Sequence, residues 1–283
     1  MEYQEDPDVV LAAVMSNGGA LQFAGAALRE DMGLVLAAVA GEGEALRYAG
    51  EELRGNKEVV LVAVRCCGYA LEFAALELHD DEEVVMTAVA HDGLSLEHAS
   101  PRLRGLDAVV REAIGQDGAA LMHASLDQRA TKEVVRLAVS QSGHALRFAS
   151  EELKGDADVV EVAVSHNGFS LQYASEEMRA DRSIVMAAVR QDGYSLRYAL
   201  GGLREDKDVV GAAVGQDGLA LEHASESLRH DREVALAAVT QDESALKHVP
   251  AVIHRRTSFA SVASPRGGVK ALKGQGEGGG GGQ

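Results

Sequence analysis

Histidine and aromatic side chains recur at one fixed interval along this chain, and they are the residues that first suggest chemistry. From Phe23 onwards, the residue at each 25-residue interval is Phe, Tyr or His. This row consists of Phe23, Tyr48, Phe73, His98, His123, Phe148, Tyr173, Tyr198, His223 and His248. Imidazole nitrogens are common zinc ligands, so the pairs His98 with His123 and His223 with His248 are candidates for a metal site. A zinc site needs further ligands, and the sequence places none beside either pair. We expect the row to seal the seam between repeats, with binding of a small ligand or metal along it as the alternative.

Other reactive side chains do not form a catalytic set in this sequence. The only cysteines, Cys66 and Cys67, are neighbours and could form only a strained disulfide. No serine or cysteine has an identifiable general base, because every histidine occupies a repeat position rather than a constellation. The glycines stand alone at turns, whereas a phosphate-binding loop needs several together. We therefore expect no enzymatic activity and no cofactor.

A repeated unit of 25 residues positions all these side chains. Ten units follow one another without insertion or deletion, and they begin at Asp6, Asp31, Asn56, Asp81, Leu106, Thr131, Asp156, Asp181, Asp206 and Asp231. A fixed period of this length is typical of solenoid proteins. The predicted fold is all-α, an α-solenoid of ten helix-turn-helix repeats over residues 1–255.

The first half of each unit predicts an amphipathic helix. Position 1 is Asp or Asn in eight units, where the side chain can cap a helix start; Thr131 keeps this property and Leu106 does not. Apolar residues follow at positions 4, 5, 8 and 9, a helical spacing, and position 8 is Ala in all ten units. A small residue at that position indicates close approach of a neighbouring helix.

The second half of each unit predicts another helix of about ten residues. Position 13 is Gly in nine units, and we expect it to end the first helix in the left-handed conformation. Position 16 is always Leu, position 19 is Ala in nine units, and position 24 is a basic residue or His in all ten. Helices this short need packing against neighbouring units for their stability.

The turn positions 11 and 12 are polar and variable, and they are the candidates for partner binding. Repeat proteins usually recognise partners through variable positions along one edge, although loose selection on exposed turns would leave the same pattern. The candidate residues are His91, Asp92, Gln116, Asp117, His166, Asn167, Gln191, Asp192, Gln216 and Asp217.

The charge distribution narrows the class of partner. The chain carries a net charge of −17. Such an acidic body repels phosphate backbones, so we expect no nucleic acid and favour a protein or peptide, in particular a basic one. The alternative is an acidic surface that only keeps the array soluble. No apolar run is long enough to cross a membrane and no secretory signal is visible, which predicts an intracellular, cytoplasmic location.

The two ends of the array depart from the repeat. Residues 1–5 are too few for a polar cap, so the first unit must expose its face, meet a partner or continue a longer array. Unit ten has Glu243 in place of the turn glycine and Pro250 in its second helix, as expected of a terminal cap. Residues 256–283 are basic and rich in Gly and Ser, which predicts a disordered tail. Ser258 and Ser264 lie in short motifs typical of phosphorylation sites.

The unit resembles a known family of tandem repeats. Its pattern is D-x-x-VV-x-x-AV-x-x-D/N-G-x-x-L-x-(F/Y/H)-A-S-x-x-L-R-x-D, and residues 206–231 match it almost completely. This pattern resembles domain of unknown function 4116, whose units of about fifty residues occur in protists, algae and some bacterial effectors. The resemblance implies an all-helical repeat fold and brings no activity, cofactor or substrate. Position 25 also hints at a fifty-residue period, with Gly55, Gly105 and Gly155 in alternate units.

Overall fold

The structure is a computed structural model that describes residues 2–250 as an α-solenoid built from the ten predicted units. Each unit opens with an α-helix of ten residues, called here its long helix. The long helices are Pro7–Ser16, Met32–Gly41, Lys57–Cys66, Glu82–His91, Asp107–Gln116, Lys132–Gln141, Ala157–His166, Arg182–Gln191, Lys207–Gln216 and Arg232–Gln241. Each packs beside the long helix of the next unit, so the array grows in chain order.

The second half of the unit is divided, and the prediction of one continuous second helix is wrong in this respect. A six-residue 3₁₀ segment comes first: Gly18–Phe23, Gly43–Tyr48, Gly68–Phe73, Gly93–His98, Gly118–His123, Gly143–Phe148, Gly168–Tyr173, Gly193–Tyr198, Gly218–His223 and Glu243–His248. A short segment follows in most units: Ala26–Arg29, Glu51–Arg54, Leu76–Asp80, Leu103–Gly105, Leu126–Arg129, Glu151–Lys154, Glu176–Ala180 and Glu226–Arg229. Unit eight has a turn there instead, with Gly201 and Gly202 at positive φ.

Hydrogen bonds between units explain this division. Positions 19 and 20 are extended, as at Ala49 (φ −66°, ψ 153°) and Gly50 (φ −62°, ψ 161°). The position-20 amide donates to the position-24 carbonyl of the preceding unit, for example from Ser175 to Lys154 at 2.8 Å. Eight such bonds of 2.8–2.9 Å form a backbone ladder between neighbouring units. An amide used in this way cannot continue its own helix.

The helix starts follow the sequence closely. The Asp156 carboxylate accepts a hydrogen bond from the Val159 amide at 3.1 Å, and equivalent side-chain caps are made at the other Asp and Asn positions. Leu106 caps nothing, as expected. Thr131 also makes no cap bond, because its hydroxyl donates to the Asp127 carbonyl instead.

The turn glycines serve close packing rather than a left-handed turn, which corrects the prediction. In the described part of the chain, positive φ occurs at Gly201 and Gly202 alone. A Cβ atom added at Gly18 or Gly43 would lie 2.5 Å from the carbonyl oxygen of Ala38 or Ala63 in the next unit. Glycine is therefore required because the backbones of successive units touch at this point.

The core is one continuous cluster along the solenoid. Positions 4, 5, 8 and 9 of the long helix and Leu at position 16 are fully buried in the inner units, as at Val159, Ala163 and Leu146. Alanine at position 8 is fully buried from unit two onwards, and its carbonyl lies against the turn glycine of the preceding unit, which confirms the predicted close approach at this position.

The ends of the array use the same interactions. Glu2–Glu5 forms a 3₁₀ turn, and the Gln4 carbonyl accepts from the Gly25 amide at 2.7 Å, so these residues take the place of a preceding short segment. Unit one still exposes apolar side chains, with Met15 at 75% and Phe23 at 62%. Pro250 occupies position 20 of unit ten, where it has no N–H to donate, so the backbone ladder ends there.

Among the described residues, the helices are all too short or too polar to cross a membrane. The predicted tail, including Ser258 and Ser264, lies outside these residues.

Candidate interaction surfaces

The position-12 candidates hold the turn together. The Asp92 carboxylate accepts from the Leu94 amide at 3.0 Å, and Asp117 does the same for Ala119 at 2.7 Å. Asn167, Asp192 and Asp217 make equivalent bonds. These side chains are half-buried and cap the 3₁₀ segment that follows them. Their polar character therefore has a structural cause as well.

The position-11 candidates are exposed and fall into two groups. Gln191 accepts from the Gly168 amide of the preceding unit at 2.5 Å, and His91 accepts from the Gly68 amide at 3.3 Å. Gln116 contacts only Glu112 of its own helix, at 3.4 Å. The side chains of His166 and Gln216 make no hydrogen bond within residues 2–250. The side chains of Gln116, His166 and Gln216 therefore make no hydrogen bond to another unit, and they are available to a partner.

The row at position 18 lies between units, as expected. From Tyr48 to His248 its rings are half-buried, while Phe23 at the open end is exposed. Burial lowers the pKa of His98, His123 and His223 below the ordinary value of histidine. The Nε2 atoms of His98 and His223 are buried without a hydrogen-bond partner. Neutral imidazole is therefore the form that the fold favours.

The metal alternative has no ligand set in the part of the chain that the structure describes. No three His, Cys, Asp or Glu side chains there are grouped to hold an ion. The Cys66 and Cys67 thiols are free and half-buried. The Cys67 Cβ atom would lie 2.9 Å from a Cβ atom at Gly43, so this residue belongs to the close contact between units.

A second row of rings lies beside the position-18 row, and the sequence analysis missed it. At position 14, His144, Phe169 and Tyr194 each contact a position-18 ring of the next unit, with centroids 4.5–6.0 Å apart. Phe169 also lies 6.3 Å from Tyr194. The residue type at position 14 varies so widely among the ten units that the sequence pattern does not predict a second row. The 3₁₀ spacing of three to four residues nevertheless brings position 14 near position 18.

Arginines at position 17 border these rings. The Arg197 guanidinium lies 5.4 Å from the Tyr194 ring and 5.3 Å from the Tyr198 ring, and Arg147 lies 4.8 Å from Phe148. We call this surface the aromatic strip: His144, Arg147, Phe148, Phe169, Tyr173, Tyr194, Arg197 and Tyr198. It adjoins the candidate turns, because Asn167 Nδ2 lies 2.9 Å from His144 Nδ1.

Ion pairs join the starts of successive long helices. Lys132 Nζ lies 2.8 Å from a carboxylate oxygen of both Asp156 and Asp158 in the next unit. Lys57, Arg182 and Lys207 repeat this arrangement. The hydrogen bond from Lys132 is the main cause of the lowered pKa of Asp156. Lysine and arginine side chains of the same chain thus neutralise the carboxylates at these helix starts.

A second set of carboxylates remains free for a partner. Positions 21 and 22 of the short segments are exposed, and seven glutamates there make no ion pair within the described residues: Glu51, Glu52, Glu77, Glu152, Glu176, Glu177 and Glu226. We call this set the acidic row.

The long helices of units eight to ten also frame an open groove of about 540 Å³. Its lining includes Arg182, Lys207, Asp208 and Glu233. These residues already pair with one another, so the groove offers few free charges.

Comparison with known proteins identifies one family. A family model described as a domain of unknown function (DUF4116) matches residues 6–54, 56–104, 108–154, 156–204 and 206–251. Each match spans two 25-residue units, in agreement with the fifty-residue period at position 25. No curated protein and no solved structure matches the chain.

Proposed function

Since this chain belongs to the DUF4116 family of tandem helical repeats, we propose that it is a non-catalytic scaffold that binds a protein or peptide. One observation carries the proposal: position 11 presents exposed polar side chains along one edge, His in units four and seven and Gln in units five, six, eight, nine and ten, while the backbone beneath them repeats. A repeated backbone with variable side chains along one edge is the arrangement by which solenoid proteins recognise partners.

The backbone ladder supports a rigid binding edge. Each ladder bond ties one unit to the next at 2.8–2.9 Å, and each turn glycine fixes the contact between neighbouring backbones. A rigid edge loses little conformational entropy of its own when a partner binds. His166 and Gln216, whose side chains make no hydrogen bond within residues 2–250, are the turn residues that we assign to partner contact.

The acidic row favours a basic partner. Its glutamates are exposed on the short segments of units two, three, six, seven and nine, and the chain as a whole carries −17. Such a surface raises the association rate of a cationic protein and repels nucleic acid and anionic membranes. The proposal includes an intracellular, cytoplasmic location, a compartment in which the Cys66 and Cys67 thiols would stay reduced.

Affinity capture from a native lysate tests the proposal. The full chain is compared with a His166→Ala/Gln216→Ala variant and with a variant that replaces Arg255, Arg256, Arg266, Lys270 and Lys273 by Ala. We expect mass spectrometry to identify a basic protein that is retained at low salt and released at high salt. The turn variant should lose it, while the tail variant should keep it. Capture that depends on the tail and not on the turns would contradict the proposal.

A further inference from the structure

We propose that the aromatic strip of units six to eight is a second binding surface, which accepts an extended acidic segment of another protein. The inference rests on the proposed interaction role and adds a surface and a chemistry that this role does not specify. Three features of the strip carry it: continuous rings, unpaired arginines and the lack of carboxylates.

The rings form one surface across three units. His144 of unit six contacts Tyr173 of unit seven at 5.9 Å, and Phe169 of unit seven contacts Tyr198 of unit eight at 6.0 Å. These rings are half-buried or exposed, so they offer faces and edges to solvent while their positions are set by neighbours. Rigid aromatic side chains lose little entropy on binding and are enriched at the centres of interfaces.

The arginines at the strip are available to an anion. Arg147 and Arg197 are exposed, and neither guanidinium makes an ion pair within residues 2–250. Each is held against a ring, Arg147 on Phe148 and Arg197 between Tyr194 and Tyr198. A guanidinium restrained by stacking keeps its donors free for a carboxylate, which it can bind through two hydrogen bonds.

The charge of the strip is opposite to that of the chain. At positions 14, 17 and 18, units five to eight contain no carboxylate. The same positions carry Glu44, Glu72 and Glu97 in units two to four and Glu222 in unit nine. A local cationic surface on an acidic protein is complementary to an acidic segment and discriminates against the basic partners that the acidic row attracts.

The repeat sets the expected spacing of the two carboxylates in the ligand, one for each arginine. Arg147 and Arg197 are two units apart, which corresponds to roughly 16–20 Å for adjacent helices packed 8–10 Å apart. An extended peptide rises about 3.3 Å per residue and therefore covers this distance in about five or six residues. The expected ligand has two acidic residues at that separation with an aromatic or aliphatic residue between them, opposite Phe169 and Tyr173.

Selection from a phage-displayed library of random twelve-residue peptides, panned on the full chain, tests the inference. We expect enrichment of peptides with two acidic residues five or six positions apart. A fluorescent synthetic copy of an enriched peptide should bind about tenfold more weakly to Arg147→Gln and to Arg197→Gln, because each change removes a charged hydrogen bond.

Arg47→Gln is the matched control. Arg47 occupies position 17 of unit two and lies 4.3 Å from the Phe73 ring, but Glu44 and Glu72 occupy position 14 of the same unit and position 17 of the next. Its change should alter the dissociation constant by no more than about twofold, as is typical of an exposed charge outside the interface. Circular dichroism of all three variants establishes that the fold is retained.

Several outcomes would overturn the inference. Enrichment of basic peptides alone, with binding unaffected by the arginine changes, would leave the scaffold role standing and remove the acidic site. Acidic peptides that bind equally well to Arg197→Gln would place their site elsewhere. Binding of a twelve-residue oligothymidine that the arginine changes abolish would assign the strip to nucleic acid. Enrichment of no peptide would count against both the strip and the scaffold proposal.

Discussion

Gly43 meets the carbonyl oxygen of Ala63 so closely that a Cβ atom at Gly43 would lie 2.5 Å from that oxygen. The contact joins the turn of one unit to the long helix of the next and recurs at the other turn glycines. This contact explains why the position is glycine although its backbone conformation is open to any residue.

Gly43→Ala should destabilise the protein by about 1–3 kcal/mol, because the neighbouring backbone must shift to admit a methyl group. Gly211→Ala is the control. Gly211 lies inside a long helix with open space around its Cα, so this change should raise stability by about 0.5–1 kcal/mol. Urea unfolding of both variants measures the difference. Equal effects of the two changes would show that the close contact has no energetic importance.

Leu146→Ala should destabilise by about 2–5 kcal/mol, since Leu146 is fully buried in the 3₁₀ segment of unit six. Leu126, 73% exposed on the short segment of unit five, provides the control. Its change to Ala should alter the free energy of unfolding by less than about 0.5 kcal/mol. A similarly small effect at Leu146 would contradict the assignment of this position to the core.

Acidification should weaken the fold below pH about 6.5, the ordinary pKa of histidine. Burial lowers the pKa of His98, His123 and His223, although Glu72 and Glu97 near His98 oppose the shift. The folded state then binds fewer protons than the unfolded chain, so the free energy of unfolding falls as pH drops through that value. Above it, these residues contribute no pH dependence.

The repeat itself supplies the control for this pH effect, since Phe73 and Phe148 occupy the same position in other units. A variant with Phe at positions 98, 123 and 223 should show a flatter profile of thermal midpoint between pH 7 and 5. An unchanged profile would exclude these histidines as its cause.

Lys132→Met should lower the thermal midpoint in low salt, because Lys132 pairs with Asp156 and Asp158 of the next unit. These ion pairs are partly exposed, so the difference should shrink at about 1 M salt, where screening is strong. A new ion pair can be introduced at Ala157, which occupies position 2 of unit seven as Lys132 does in unit six and precedes Asp181 of the next unit. Ala157→Lys should raise the midpoint in low salt. A salt-independent effect of either change would indicate packing rather than charge.

Much of the fold was predictable because its signals are local. The 25-residue period, the Asp and Asn helix caps and the apolar stripe at positions 4, 5, 8 and 9 all specify structure within a few residues of themselves. The division of the second helix also had a local signal, since Ser150 and Ser175 are good helix caps that precede Glu pairs. In the structure both side chains accept hydrogen bonds at the start of a short segment.

The sequence by itself determined the repeat, the helix starts and the buried rows, because hydrogen bonds and spacing within one segment encode them. Only the tertiary structure decided why the turns need glycine, why the second helix breaks and how Phe169 and Tyr198 meet. Each depends on a contact between units: a carbonyl against a glycine, an amide bonded to the preceding short segment, a ring against the next ring. Such contacts join residues about one repeat apart in the chain, and no local pattern records them.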